Sequence, residues 1–506
     1  MELLADLAFG FQTALSVENL IYCFVGVFLG TMIGVLPGVG SLAAIAMLLP
    51  ITYYLDPTTA IIMLAGVYYG AEYGGSTASI LLNLPGTPSN AVTCLDGYPM
   101  AQKGKAGVAL MTTTIASFVG GTFGILMLTF LSPVVVDIAL MMRPADYLIL
   151  MLFGLLAAAT VAPGSAVKGV SMAILGLLLG CVGLDVNSGM PRFTFGLADL
   201  YDGISVVVLA MGLFGIAEII TSVRTQTKAY KQKVSLRSML PSRSEARRSL
   251  FPMARGAGIG GIFGPLPATG PSIAAFVSYA IEKRISKHPE TFGTGAIEGI
   301  ASPEASNNSA VQTAFIPTLT LGIPGTPAMA IILGALMIHG ITPGPSIVER
   351  NPDLFWGLIA SFWIGNILLL VLNIPLVGIW VRLLNVPYRY LYPLIVGLIC
   401  VGAYSIGYNS FDVLGVAAFG LIGYQMRRLG FQPAPLLMGF ILGPMVEENL
   451  RRALLLSRGD FAPIVLRPMS YAFIAIIVIY GVWTLWARRR ARVEMTQDRQ
   501  IADTQT

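Results

Sequence analysis

Three stretches of this chain, Asn19 to Leu55, Ala106 to Val136 and Leu354 to Val381, contain no Asp, Glu, Lys or Arg. Crossing the hydrocarbon of a bilayer takes about 20 apolar residues. Each stretch can therefore span, and the first can span or turn back within the membrane. Of 506 residues, 55% are hydrophobic and 11% charged, where a soluble globular chain has roughly 25% charged. So few charges cannot wet the surface of a soluble protein of this length. In lipid every backbone polar group must be paired inside the protein, and 56 Gly and 31 Pro argue against long alternating strands. The expected fold is an all-α integral membrane protein, a polytopic helical bundle of about 11–14 crossings.

The net charge of +5 is spread unevenly. The first basic residue is Lys103, whereas nine crowd between Arg224 and Arg255 with Glu245 as the one acid. A second basic run, Arg488-Arg489-Arg490-Ala491-Arg492, follows the last apolar stretch. The positive-inside rule places both in the cytoplasm, as topology signals rather than as a nucleic-acid site. Without a basic n-region and a small-residue cleavage site, no removable signal peptide is expected. Cys23, Cys94, Cys181 and Cys400 lie far apart, and with only His288 and His339 no metal site beyond a possible Na⁺ is expected.

The basic segment divides two hydrophobic halves that resemble each other. Gly30 to Gly40 and Gly260 to Gly270 both read GxxxGxLPxxG, and Leu84-Pro85-Gly86-Thr87-Pro88 returns as Ile323-Pro324-Gly325-Thr326-Pro327. Two motifs repeated in the same order indicate an internal repeat, with the charge asymmetry pointing to inverted halves. The expected division is 1–223 first repeat, 224–255 basic cytoplasmic linker, 256–465 second repeat, 466–487 final helix and 488–506 cytoplasmic tail. Secondary transporters are built this way, with the substrate between the repeats.

Pro cannot continue a helix from within and Gly tolerates open backbone, so each PGTP should break a helix or form the tip of a re-entrant hairpin. Such backbone survives at membrane depth only where it is buried in protein or lines a wet cavity. Freed N–H groups at a helix start, with a Thr hydroxyl, suit a carboxylate. A packing kink would explain one PGTP; a duplicated pair favours a site. The candidate substrate residues are Gly38, Ser41, Ser76, Thr77, Pro85, Gly86, Thr87, Asn307, Asn308, Ser309, Pro324, Gly325 and Thr326. Ser89 and Asn90 extend the polar run. Glu72 is the only charge between Pro57 and Leu95, and an intramembrane carboxylate is a functional candidate by default. With Asn83 and Glu304 it forms the candidate cation-coupling set, for Na⁺ or H⁺. Gly30/Gly34 and Gly260/Gly264 read as close helix packing. No P-loop, HExxH or GxSxG is present, so the chain is not expected to be an enzyme or to need a cofactor, and uphill transport would draw on an ion gradient. A passive anion channel, or a membrane-embedded enzyme with Glu72 and Glu304 as an acid/base pair, are the alternatives.

At these residues the chain resembles the large membrane subunit of the tripartite tricarboxylate transporter family, from about residue 10 to 485. Carrying the resemblance are Gly34-Val-Leu-Pro-Gly-Val-Gly40, Tyr69-Gly-Ala-Glu-Tyr-Gly-Gly-Ser-Thr77, Pro85-Gly-Thr-Pro88, Asp96-Gly-Tyr-Pro-Met100, Arg192-Phe-Thr-Phe-Gly196, Pro303-Glu-Ala-Ser-Asn-Asn308, Leu321-Gly-Ile-Pro-Gly-Thr326 and Pro343-Gly-Pro345. Ala268 departs from the family pattern, where Gly is frequent. The resemblance implies secondary, cation-coupled uptake (symport) of a tricarboxylate or related carboxylate across a bacterial inner membrane. It also implies two partners, a small membrane subunit of four helices and a periplasmic solute-binding protein.

Overall fold

Among the described residues the only sheet is one antiparallel pair, Gly183–Leu184 with Pro191–Arg192. The rest is helix and connecting turns, the economical way to cross lipid with every backbone group paired. The computed structural model describes residues 2–479 except 38, 162–164, 186–187, 223–235, 268, 385, 387, 463–465 and 476. Much of the basic linker, the end of the final helix and the 488–506 tail therefore lie outside the described residues.

The first half runs α1 (Val17–Val35), α2 (Gly40–Thr52), α3 (Pro57–Leu82), α4 (Ala91–Gln102) and α5 (Ala106–Leu140). From the basic segment onward come α6 (Arg243–Phe263), α7 (Gly270–Ile285), α8 (Glu298–Thr313), α9 (Pro327–Ile338) and α10 (Pro352–Asn373). The basic segment is thus not all linker: from Arg243 it is the start of α6, with Ser242 and Glu245 closing a capping box that pairs two otherwise orphaned N–H groups. The helices α1, α5 and α10 are long and apolar enough to cross a membrane, and shorter apolar helices include Pro144–Thr160, Ala166–Gly180 and Pro468–Ile479. That last helix is the described part of the expected closing span, tied at its start by Ser470 Oγ donating to Asp146 Oδ1 at 2.9 Å.

Glycine sets how closely these helices approach. On α1, a Cβ at Gly26, Gly30 or Gly34 would stand 2.1–2.4 Å from the carbonyl oxygens of Met63, Val67 and Ala71 on α3. On α6 and its C-cap, a Cβ at Gly256, Gly260 or Gly264 would stand 2.0–2.5 Å from those of Ser302, Ser306 and Ala310 on α8. Small residues every four positions let two backbones touch, replacing side-chain burial by dispersion contact. Adding a methyl at any of these six positions drives the helices apart.

Both helix pairs then break alike. Leu36 leaves α1 extended and α2 opens at Gly40 with φ +69°; α7 opens at Gly270 with φ +55°. Left-handed backbone suits glycine and strains other L-residues. The halves also interlock: Gly120 and Gly124 of α5 lie against Ala305 and Ser309 of α8, while Gly365 of α10 lies against the Tyr69 hydroxyl of α3. Polarity is arranged inside out. Leu126, Phe130, Val134 and Ile138 form an exposed stripe on α5, whereas Glu72, Ser117, Glu304, Asn308 and Gln312 are buried. A stripe of that size exposed to water would be a liability; facing lipid tails it is what the surroundings require.

Candidate substrate and ion site

Each PGTP segment lies in a non-helical break between two helices. After α3, Asn83 turns left-handed (φ 57°) and the chain runs extended through Thr87 into the Pro88–Asn90 turn and α4. After α8 and a short continuation, Phe315–Thr320, Gly322 turns left-handed (φ +68°) and Thr326 is extended as the N-cap of α9. Within each half the PGTP segment meets the LPxxG break. A Cβ on Gly86 would stand 2.2 Å from the Gly34 carbonyl oxygen and 2.4 Å from Gly75 Cα. A Cβ on Gly325 would stand 3.6 and 3.7 Å from the Leu266 and Gly264 carbonyl oxygens.

The first break is wired to a carboxylate. Glu72 sits inward on α3, where Ser41 Oγ donates to its Oε1 at 2.8 Å. Its Oε2 is met by Thr87 Oγ at 2.9 Å and by a closer Ser89 Oγ. Thr87 also lies 2.6 Å from Asn90 Oδ1 and 2.8 Å from Ser89 Oγ. The other end of the Asn90 carboxamide, Nδ2, donates to both oxygens of Glu304 on α8 at 3.4 and 3.5 Å. Glu304 accepts further from Thr93 Oγ at 3.0 Å and Ser117 Oγ at 3.3 Å. Asn308 Nδ2 in turn donates to Ser117 Oγ at 2.8 Å. One continuous polar network therefore joins two carboxylates from opposite halves, in the middle of the apolar bundle.

Neither carboxylate has a cationic partner; the ion pairs among the described residues join other groups. Taking a carboxylate out of water costs several kcal/mol even after relaxation, and an unpaired one in a membrane interior marks a pathway or a relay. Asp96, also buried, shows the alternative. It accepts N–H bonds from Gly293, Gly295 and Ala296 at 2.7–2.9 Å and the Tyr279 hydroxyl at 2.9 Å. Those four donors clamp α4 to α7 and to its connection with α8, a structural use of the same side-chain chemistry.

The network gathers Ser41, Glu72, Thr87, Glu304 and Asn308 from the residues expected on sequence grounds. Asn307 turns its carboxamide to Glu72 from α8, and its Oδ1 is buried without a hydrogen-bond partner. Ser309 Oγ is also buried without a partner, but its helix face is the one packed against Gly124. Ser76 donates to the Tyr73 carbonyl at 2.9 Å, a local helix contact. Thr326 is occupied as a helix cap, accepting from Met329 N at 3.2 Å, with Tyr68 of α3 facing it. Thr77, Gly86, Pro324 and Gly325 are buried near the breaks, Pro85 and Asn83 are exposed, and Gly38 lies outside the described residues, as does Ala268. Sequence reasoning missed Thr93 and Ser117. Thr93 follows Asn90 by three residues, one helical turn, which was the available signal; Ser117 carries none, being one hydroxyl in a long apolar helix.

Toward the basic segment, Lys105 Nζ lies 2.8 Å from Glu245 Oε1. The Lys105 ammonium and the Ser242 N–H hold the Glu245 carboxyl down at about 2. Arg248 pairs with Glu298 at 2.7 Å, so α6 is strapped to both α8 and the start of α5 on this side.

Among known proteins, the chain matches the tripartite tricarboxylate transporter TctA family over residues 20–438. It is 49% identical over 476 residues, 94% of this chain and 95% of the relative, to an uncharacterized 52.8 kDa protein in the TAR-I ttuC' 3' region of Agrobacterium vitis. It is 50% identical over 233 residues, 46% of this chain and 96% of the relative, to an uncharacterized protein in the TAR-II ttuC' 3' region of the same organism. No solved structure matches. The break-and-carboxylate architecture thus belongs to a transporter family, and this chain is a member of the tripartite tricarboxylate transporter TctA family.

Proposed function

We propose that the chain is the large membrane subunit of a secondary transporter that takes a small organic anion, a tricarboxylate or related carboxylate, across the bacterial inner membrane. Uptake is driven by a cation gradient. The observation that carries this reading is the pair of buried, uncompensated carboxylates threaded through the first PGTP segment. An anion approaching such a pair is repelled. At about 8 Å and an effective dielectric of about 20 the repulsion is about 2 kcal/mol per charge pair. Neutralising the network with a cation removes that barrier, so anion and cation enter as one load. Coupling then follows from electrostatics rather than from a moving gate.

In this reading the anion lies between the two PGTP breaks. Exposed N–H groups of the breaks, with Ser76, Thr77, Asn307, Asn308 and Ser309, supply donors, while Glu72 and Glu304 answer the coupling cation and Asn83 lines its approach. The matched glycine contacts of α1 on α3 and of α6 on α8 support an internal duplication with the site between its halves. A small four-helix membrane subunit and a periplasmic solute-binding protein complete the system, the latter delivering the carboxylate.

The test is uptake of labelled di- and tricarboxylates into proteoliposomes holding this chain and its membrane partner, with binding protein outside and a Na⁺ or proton gradient imposed. Accumulation above the external concentration that requires gradient and binding protein is expected. Equilibration without accumulation would replace the reading with a passive channel.

A further inference from the structure

The basic segment ends in a piece of chain that is fixed in place and yet leaves charges unused. Leu236–Met239 is a single helical turn that buries Met239 and lays the Ser238 carbonyl against Gly107 at the start of α5, where a Cβ would stand 2.4 Å from its oxygen. The Ser242–Glu245 capping box then opens α6. The acids that meet α6 are taken: Glu245 pairs with Lys105, Glu298 with Arg248 and Glu282 with Arg255. Arg237, Arg243 and Arg247 are exposed, and none of them enters an ion pair among the described residues.

Along α6 the exposed face is basic at one end and apolar beyond it. Arg243, Arg247, Leu250, Ala254 and Ile262 recur there at helical spacing, while Met253, Gly256 and Gly260 are turned into the protein. Leu250 is 60% exposed and Phe251 68%, and Leu240, just before the cap, is 68% exposed. Side chains so apolar and so bare are out of place in water. Arg247 and Leu250 are three residues apart, about 4.5 Å along the helix axis, so a guanidinium and an apolar side chain stand at neighbouring depths. Arginine lays its apolar stem along such a surface and keeps its charge in the wetter layer.

That pairing of layers selects the occupant. A guanidinium is a planar fork that takes two oxygens of a phosphate at once. A soluble phosphate would use the arginines and leave Leu240, Leu250 and Phe251 bare. A phospholipid of net negative charge uses both, with its phosphate on the basic turn and its acyl chains on the apolar residues below. A zwitterionic lipid carries its own cation beside the phosphate and gains far less from uncompensated arginines. The positive-inside rule puts this end of α6 at the cytoplasmic leaflet.

We infer that Arg237, Arg243 and Arg247, with Leu240, Leu250 and Phe251, bind the anionic phospholipids of the cytoplasmic leaflet. The same stretch is tied to α5 through Lys105 and Glu245 and to α8 through Arg248 and Glu298. Lipid bound here therefore anchors the cytoplasmic end of the helix that runs to the second LPxxG break. Each arginine near an anionic membrane surface is worth about a fivefold change in affinity. The inference goes beyond the transport reading and does not rest on it, since it concerns the membrane around the chain and not the load it carries.

The experiment follows amide hydrogen exchange of residues 236–251 in the full chain with its membrane partner, reconstituted in phosphatidylcholine vesicles with increasing phosphatidylglycerol. Exchange in this segment should slow saturably as phosphatidylglycerol rises. Each of Arg237→Gln, Arg243→Gln and Arg247→Gln should raise the half-maximal fraction about fivefold, and the three together should abolish the effect. Neutralising Arg488, Arg489, Arg490 and Arg492 in the tail should leave it unchanged, which separates a local site from general surface charge. Glycerophosphate, the headgroup chemistry without acyl chains, should give no protection. The replaced side chains are exposed, and size-exclusion profiles confirm that each variant is folded. Equal exchange in the two lipids, or undiminished protection in the triple variant, would overturn the site. Two further results would also overturn it. Protection by glycerophosphate would make this a soluble-anion site, and protection in pure phosphatidylcholine that vanishes without the membrane partner would give the face to that protein.

Discussion

The two PGTP segments share their letters and their place in a helix break, but not their employment. In the first, Gly86 is wedged between the Gly34 carbonyl and Gly75, and the Thr87 hydroxyl is on Glu72. In the second, Gly325 has ordinary van der Waals room and the Thr326 hydroxyl is spent on capping α9. The backbone break is alike in both segments, while the Thr hydroxyl meets a carboxylate in only one of them. The second half contributes instead from α8, through Glu304, Asn307 and Asn308. A duplicated motif in a chain like this locates the machinery without assigning equal roles to its copies.

The sharpest way to break that contrast is to add a methyl to each glycine. Gly86→Ala puts a Cβ into the Gly34 carbonyl, an overpacking of about 1–3 kcal/mol or more, and should abolish uptake in proteoliposomes. Gly325→Ala should retain at least half of it. Equal loss in both would mean that the breaks are used symmetrically. Next in size come the hydroxyls. Thr87→Val should lower uptake at least tenfold with little change in unfolding midpoint. Thr326→Val should cost about 1 kcal/mol of stability, the worth of an N-cap, and leave most uptake, as a paired transport and thermal-unfolding measurement would show. A smaller effect separates the two helices that carry the GxxxG contacts. α6 carries a charged strap, Lys105 to Glu245, where α1 begins with a Ser16 cap only. Because the folded Glu245 carboxyl is held at about 2, its contribution is full above the unfolded value of about 4.3 and is lost as pH falls through that window. Thermal unfolding from pH 5 to 2 should therefore decline more steeply in the wild type than in Glu245→Gln. Parallel declines would show the strap to be idle.

How much of this was legible in the sequence differs by element. The charge-free stretches and the LPxxG and PGTP pairs announced helices and where they break, because Pro and Gly act locally. Gly30/Gly34 and Gly260/Gly264 announced close packing, but the contacts run one turn further, to Gly26 and Gly256, since register against a partner helix is a property of two segments. Glu72 stood out by being alone, and the structure wires it to the break. Asn83, its neighbour in the expected coupling set, is an exposed left-handed helix end, a position that asparagine tolerates for backbone reasons. Thr93 and Ser117 could not be read, because a hydroxyl in an apolar helix commonly bonds its own turn, and only the approach of Glu304 distinguishes these two. The basic run read as a linker also hid the start of α6, since its charge outweighed its helix-forming capping box.

The four bonds received by Asp96 have a mechanical meaning. They bolt the far side of the first break, through α4, onto α7 and its connection to α8, and hydrogen bonds to a charged acceptor are worth about 1.5–3 kcal/mol each. Sliding one half past the other at this point would shear all four together. Any relative movement of the two halves that spares these bonds must therefore carry α4 and the segment before α8 together.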